Sequence, residues 1–250
     1  MAKQNKPAKQ TDLENAWAHY FRGRFDEALE IFCEILDKGK DELALYGKAC
    51  ALFRSADFEG ALADLSALIK TNSRNSAALH TRALIYGANE EYEKALKDLK
   101  KVTDLEPENG EAWCDMGGLY LVIESFGDAG ICFEKSADID KSCSCAWFGK
   151  GMVALFKKEF KKATEYLNIA LKLDKKHAVA HMARAEAAFC NGQIKEAVKD
   201  IKKALSLDKD FSGKFKELLK DHDQDSDPGP DASDLDEKDI VQSDDDLESF

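Results

Sequence analysis

The sequence predicts an all-α solenoid of about six antiparallel helix-turn-helix repeats, closed by a C-terminal capping helix, and three observations carry that expectation. The first is a fixed period: alanine stands at 28, 61, 95, 129, 163 and 197, at steps of 33, 34, 34, 34 and 34 residues. The second is the company each alanine keeps. Three residues before it stands Phe25, Phe58, Tyr92, Phe126, Phe160 or Ile194, and four after it Phe32, Leu65, Leu99, Phe133, Leu167 or Ile201, which is one helical stripe written six times. The third is a second helical segment upstream of each stripe, as in AWCDMGGLYLVI, CAWFGKGMVALF and LHTRALIYG, set off by a short polar or glycine-containing turn.

Each repeat is therefore expected to be a helical hairpin. Small residues recur in the first helix at Ala49, Ala83, Gly117, Gly151 and Ala185, where a missing side chain lets two backbones approach. One hairpin cannot bury its own apolar faces, so stacking on neighbours is compulsory. Taken in order, residues 1–10 are expected to be a basic, disordered N-terminus, and 11–211 the six repeats. TDLE at 11–14 reads as a capping box, with Thr11 accepting from the first turn and Glu14 reaching back. SGKFKELLK at 212–220 supplies the capping helix: Phe215, Leu218 and Leu219 cover the last repeat while its lysines face water. Residues 221–250 carry thirteen acidic side chains against one lysine and a Pro-Gly-Pro break, and are expected to be a disordered acidic tail.

These residues resemble the tetratricopeptide repeat family. Trp113, Gly117, Tyr120, Ala129 and Phe133 match its pattern in one repeat, and Leu79, Ala83, Tyr86, Ala95, Leu99 and Pro107 in another. The resemblance covers about residues 9–211. It departs in the first repeat, which is one residue short, and after most second helices, where lysine or serine replaces the family's proline. It implies a right-handed superhelical array whose first helices line a concave, ligand-binding surface.

Charge and chemistry narrow the function. The formal charge of -12 belongs entirely to residues 221–250, so residues 1–220 are neutral. A neutral rod with an acidic tail repels phosphate, and basic stripes with interleaved aromatics are missing, so nucleic acid is not an expected partner. No stretch approaches the roughly 18 uninterrupted apolar residues of a membrane span. MAKQNKPAKQ lacks the apolar core of a signal peptide, so the chain is expected in the cytoplasm and no membrane is expected as a partner. Seven cysteines without C-x-x-C pairs argue for reduced thiols, read as small buried side chains, and Cys143 with Cys145 is a weak metal candidate without a second pair. His177 and His181 have helix-compatible spacing, but His177 falls in an expected turn, so turn and packing roles are the default. GKG at 149–151 lacks the rest of a phosphate loop and reads as close helix packing. No cofactor, no metal and no catalytic set is expected, and the chain is read as non-enzymatic.

What remains is a binding surface. On each first helix one stripe must pack on its second helix, as Trp147, Gly151 and Ala154 would. A second apolar stripe lies beside it at i, i+4, i+7, i+8, most visibly Leu13, Trp17, Tyr20 and Phe21 and again Phe148, Met152, Leu155 and Phe156. Leu155 is expected to be covered by the neighbouring first helix. The candidate partner-binding residues are Trp17, Tyr20, Phe21, Tyr46, Phe53, Leu84, Leu121, Phe148, Met152, Phe156, Met182 and Phe189, with His80 and Cys114 giving a shallower middle. The lysine, asparagine and arginine set by which some family members hold the carboxyl terminus of chaperones is mostly replaced by Tyr46, Cys50, His80, Cys114, Phe148 and Met152, so that ligand is not expected.

The leading expectation is a scaffold or adaptor, monomeric, whose concave groove binds a protein or peptide with an apolar segment, either a hydrophobic or amphipathic helix or an extended peptide. The groove is expected to be masked by the chain's own tail through Ile240, Val241, Leu247 and Phe250. The alternatives are a client-specific chaperone for a basic protein, using groove plus tail, and a homodimeric structural module.

Overall fold

The phase of the apolar stripes sets where helices pair, and the computed structural model, which describes residues 8–208, shows that pairing. Among the described residues there are twelve helices and no strand. They are α1 (Ala8–Phe21), α2 (Phe25–Asp37), α3 (Glu42–Arg54), α4 (Phe58–Thr71), α5 (Ser76–Ala88), α6 (Tyr92–Leu105), α7 (Gly110–Val122), α8 (Phe126–Ile139), α9 (Ser144–Phe156), α10 (Phe160–Leu173), α11 (Ala178–Cys190) and α12 (Ile194–Leu207). The expected N-terminal boundary moves: α1 begins at Ala8, so Thr11 lies inside the helix and TDLE is no capping box. The capping helix at 212–220 and the tail lie outside the described residues.

The chain divides into two compact units, the first ending at Ile123 and the second beginning at Glu124. In the N-terminal unit α1 pairs with α2, α3 with α4 and α5 with α6, and each second helix also meets the first helix of the next pair, ending with α6 on α7. In the C-terminal unit α8 meets α9, α9 pairs with α10, α10 meets α11, and α11 pairs with α12.

The periodic alanines 28, 61, 95, 129, 163 and 197 are all buried, as are Phe32, Leu65, Leu99, Phe133, Leu167 and Ile201. Burying one such large side chain stabilises by roughly 1.5–3 kcal/mol. Glycine completes the fit where phenylalanine replaces leucine. A Cβ on Gly47 would lie 2.3 Å from the Phe32 ring, and one on Gly149 2.3 Å from the Phe133 ring. At the equivalent first-helix positions that follow Leu65, Leu99 and Leu167, the chain has Thr81, Asp115 and Ala183 instead. A larger core side chain is thus matched by a smaller one opposite, which keeps the interior at constant volume.

Gly151 is equally constrained, its Cβ position 2.7 Å from Leu167, and Ala154 lies in the same cluster. Trp147 meets Tyr166 at 6.1 Å. Both glycines of GKG are therefore packing glycines, as expected of that tripeptide.

Helix starts recur with the same period. Asp41, Asn75, Asn109 and His177 each cap a first helix by accepting from the backbone N–H three residues on, at 3.0, 3.0, 3.0 and 3.1 Å. Inside the hairpins the turn uses one left-handed residue each time, Gly23, Ala56, Glu90, Glu124, Lys158 and Gly192. Only the first and last are glycine, so four L-residues accept a conformation that costs roughly 1–2 kcal/mol each. Backbone hydrogen bonds across the turns hold them there, as from the Asp57 N–H to the Leu52 carbonyl at 2.9 Å and from the Glu159 N–H to the Ala154 carbonyl at 2.8 Å.

Candidate functional site

The first helices α1, α3, α5 and α7 form the candidate face of the N-terminal unit. Trp17 is its hub, with ring centroids 5.3 Å from Tyr20, 5.8 Å from Phe21 and 6.2 Å from Tyr46. It is anchored from below by Phe32 at 5.4 Å. Tyr20 and Phe21 meet edge to face at 5.4 Å, and Tyr20 also touches Phe25. Phe21 stacks on Trp17 and remains 78% exposed. Phe53 turns to Phe58 of its own hairpin at 5.8 Å. Leu84 is 39% exposed and Leu121 half-buried.

Polar side chains tie the same helices together. The Tyr46 hydroxyl lies 3.1 Å from Thr81 Oγ1, bridging α3 to α5. Burial, with the neighbouring Cys50 adding to it, pushes the Tyr46 phenol up to about 12, so it stays protonated. His80 Nε2 lies 2.6 Å from Asp115 Oδ2, bridging α5 to α7. The hydrogen bond to that carboxylate raises the His80 pKa against the opposing effect of burial. The sequence reading treated His80 as part of a mild floor and missed both bridges. A signal was present, since each pair is separated by 35 residues, one period plus one.

In the C-terminal unit the face is α9 and α11. Phe148 and Met152 pack against a cluster that includes Leu155, Leu167, Ala180, Ala183 and Ala187, so α11 covers much of the α9 stripe. Leu155 is buried, as expected. The Phe148 ring also lies 4.7 Å from His177. Phe156 escapes this cover: it stacks on Phe126 at 4.5 Å and is 52% exposed. Phe189 packs, partly buried, against a cluster of Ala185, Ala188, Ala197, Ile201 and Ala204.

Met182 belongs inside that last cluster and is buried, so it leaves the set of surface residues. Helix α11 is rich in alanine, and an unbranched thioether is what fills the space such small side chains leave. In exchange the structure exposes Leu43 and Val179, which the sequence reading omitted. Each stands three residues before a residue of the predicted stripe, Tyr46 and Met182, one step outside its i, i+4, i+7, i+8 pattern.

Three first helices end on an exposed apolar residue, Phe21, Val122 and Phe156. Within each unit the stripe is thus part interior, sealed by the next helix, and part accessible, at helix ends.

Charged groups recur as well. Arg82 grips Asp98 through Nε (2.7 Å) and Nη2 (2.9 Å) and donates from Nη1 to Ser66 at 3.1 Å. Three periods later Arg184 grips Asp200 through Nε (2.7 Å) and Nη2 (2.6 Å) and donates to Asn168 at 2.7 Å. Lys48 with Asp64 at 3.0 Å occupies the same two positions in an earlier hairpin. Each clamp holds a first helix to its own second helix, and the sequence reading did not detect it. Arginine at 82 and 184 and aspartate at 98 and 200, each pair three periods apart, was the available signal.

His181 is explained by comparison with two tryptophans. Trp113 Nε1 donates to the Pro107 carbonyl at 2.9 Å, Trp147 Nε1 to the Lys141 carbonyl at 3.0 Å, and His181 Nε2 faces the Lys175 carbonyl at 3.2 Å. All three reach back six residues. His181 therefore takes the place of an indole N–H, while its Nδ1 meets Asp200 at 2.9 Å.

Among the described residues no three His, Cys, Asp or Glu side chains converge to hold a metal. None of the seven cysteines forms a disulfide. The expectation of small buried thiols holds for Cys50 and Cys132, whose pKa values burial raises, in Cys132 to about 11. It fails for Cys33, Cys145 and Cys190, which are exposed. No described helix is long and apolar enough to cross a membrane.

Comparison with known proteins agrees with this architecture. The solved structure of PilF from Pseudomonas aeruginosa superposes with a TM-score of 0.76 at 16% identity, covering 86% of this chain and 97% of that one. YrrB, described as a tetratricopeptide repeat protein with an unusual peptide-binding site, gives 0.61 at 19% identity, covering 77% and 97%. MamA from Desulfovibrio magneticus gives 0.61 at 19% identity, covering 69% and 98%. No curated protein matches the sequence. Two tetratricopeptide repeat models match, one over residues 76–109 and one over 13–77 and 146–210, the latter alone more than half of the chain. With its period, its paired helices and these matches, the chain belongs to the tetratricopeptide repeat family, generally a non-enzymatic protein-interaction module.

Proposed function

We propose that the protein is a non-enzymatic scaffold that binds an amphipathic helix or an extended apolar peptide of another protein on its first-helix face. The observation that carries this reading is Phe21, 78% exposed yet stacked on Trp17 and met edge to face by Tyr20. An aromatic surface held rigid by other rings loses little conformational entropy on contact, which favours binding. In the C-terminal unit Phe156, stacked on Phe126, offers a second contact of the same kind. The protein acts as a monomer in the cytoplasm, where its three exposed thiols stay reduced.

The test is affinity capture with wild type beside a Phe21→Ser, Phe156→Ser variant. Both rings are exposed, so the variant keeps its fold, which circular dichroism checks. Partners lost selectively from the variant are then titrated directly as peptides; the expected result is a loss of about tenfold or more in affinity per removed ring contact. An identical catch, or peptides that bind both forms equally, rejects the site.

A further inference from the structure

The C-terminal unit carries a second surface, chemically opposite to the aromatic one. A hollow of about 380 Å³ opens between α10, α11 and α12, lined by Asn168, Lys172, Lys175, His181, Arg184 and Lys203. Arg184 and Asp200 neutralise one another at its floor. The three lysines are exposed, and none of them pairs with an acid among the described residues. Asp174, next to Lys175, directs its carboxylate to the Lys176 N–H at 2.9 Å. A lysine near a helix C-terminus is favoured by the helix dipole, which accounts for Lys172 alone. Convergence of three such cations on one hollow is not required by any helix.

We propose that this hollow holds the chain's own acidic segment, residues 221–250, docked in cis through carboxylates on Lys172, Lys175 and Lys203. Charge is complementary: the segment has a net of -12 in a chain whose remainder is neutral. Position is favourable too. Lys203 lies five residues before Asp208, the last described residue, so the outgoing chain starts beside the hollow. Twelve residues separate Asp208 from Asp221, a reach of about 20 Å if 212–220 are helical and about 40 Å if extended. Tethering at this range gives an effective concentration on the order of millimolar, enough for contacts too weak to act between separate molecules. This inference rests on the hollow and not on the aromatic face, so the two readings fail independently. It also differs from masking of the groove by the tail, which would place the same segment on the other surface.

Two measurements on the full-length protein test it. Carbodiimide, which joins amines and carboxylates only in direct contact, should link residues 221–250 to Lys172, Lys175 and Lys203 in the monomer band. Yields should exceed those at Lys202, equally near the tether, and at Lys161 by several-fold, and should collapse between about 0.05 M and about 0.5 M salt. In parallel, cleavage within 221–250 by a protease specific for acidic residues should accelerate several-fold in the Lys172→Gln, Lys175→Gln, Lys203→Gln variant. Links spread evenly over exposed lysines, links to Lys48 or Lys150, links confined to a dimer band, or an unchanged cleavage rate in the variant would each overturn the proposal.

Discussion

The two units solve the same packing problem with different side chains on their first helices. In the N-terminal unit α3, α5 and α7 are joined by polar bridges, Tyr46 to Thr81 and His80 to Asp115. In the C-terminal unit α9 and α11 meet through alanines, with Phe148, Met152 and Leu155 filling the gap. Between first and second helices the units are alike, each with a glycine beneath a phenyl ring and a bidentate arginine clamp. The contacts between first and second helices thus recur in both units, with Lys48 and Asp64 standing in for the arginine clamp in one hairpin, while the first-helix faces differ.

The sharpest test of the shared contact is the clamp. Asp200→Ala leaves Arg184 and His181 without their common carboxylate and should cost about 3–5 kcal/mol. Asp98→Ala strands only Arg82 and should cost less, so chemical denaturation of the two variants ranks them. Equal losses would mean that His181 contributes nothing through Asp200. Next in size is the glycine contact: Gly149→Ala should destabilise by about 1–3 kcal/mol, and adding Phe133→Leu should recover much of it. A double-mutant cycle without coupling would break the volume-matching argument.

The smallest effect separates the two inner faces. The folded His80 pKa lies above its ordinary value near 6.5, so the His80–Asp115 contact contributes fully at acidic pH, below the unfolded value. That contribution is lost as pH rises through the raised folded value. Thermal stability should thus fall modestly between pH 6 and pH 8, by less than about 1 kcal/mol for this partly exposed pair, and His80→Gln should abolish that component. A slope unchanged in the variant would assign it to other groups.

Much of this was legible in the chain. Twelve helices, their pairing and their buried alanines follow from a single period, because a residue that repeats every 34 positions meets the same neighbour each time. The packing role of GKG was legible for the same reason. The candidate surface was less so. Trp17, Tyr20 and Phe21 do assemble, yet Met182 is interior and Leu43 and Val179 are exposed instead.

The sequence by itself determined which helices form and which of their faces are apolar, since both depend on spacing within one helix and on repetition between hairpins. Only the tertiary structure decided which apolar residues are sealed, because that depends on the size of side chains on another helix. Small alanines on α11 draw Met182 inward and let α11 close over Phe148 and Met152, whereas among the described residues Phe21 at the end of α1 and Phe156 at the end of α9 stay largely exposed. The convergence of Lys172, Lys175 and Lys203 was hidden likewise, as three lysines on two helices and a turn share no spacing along the chain.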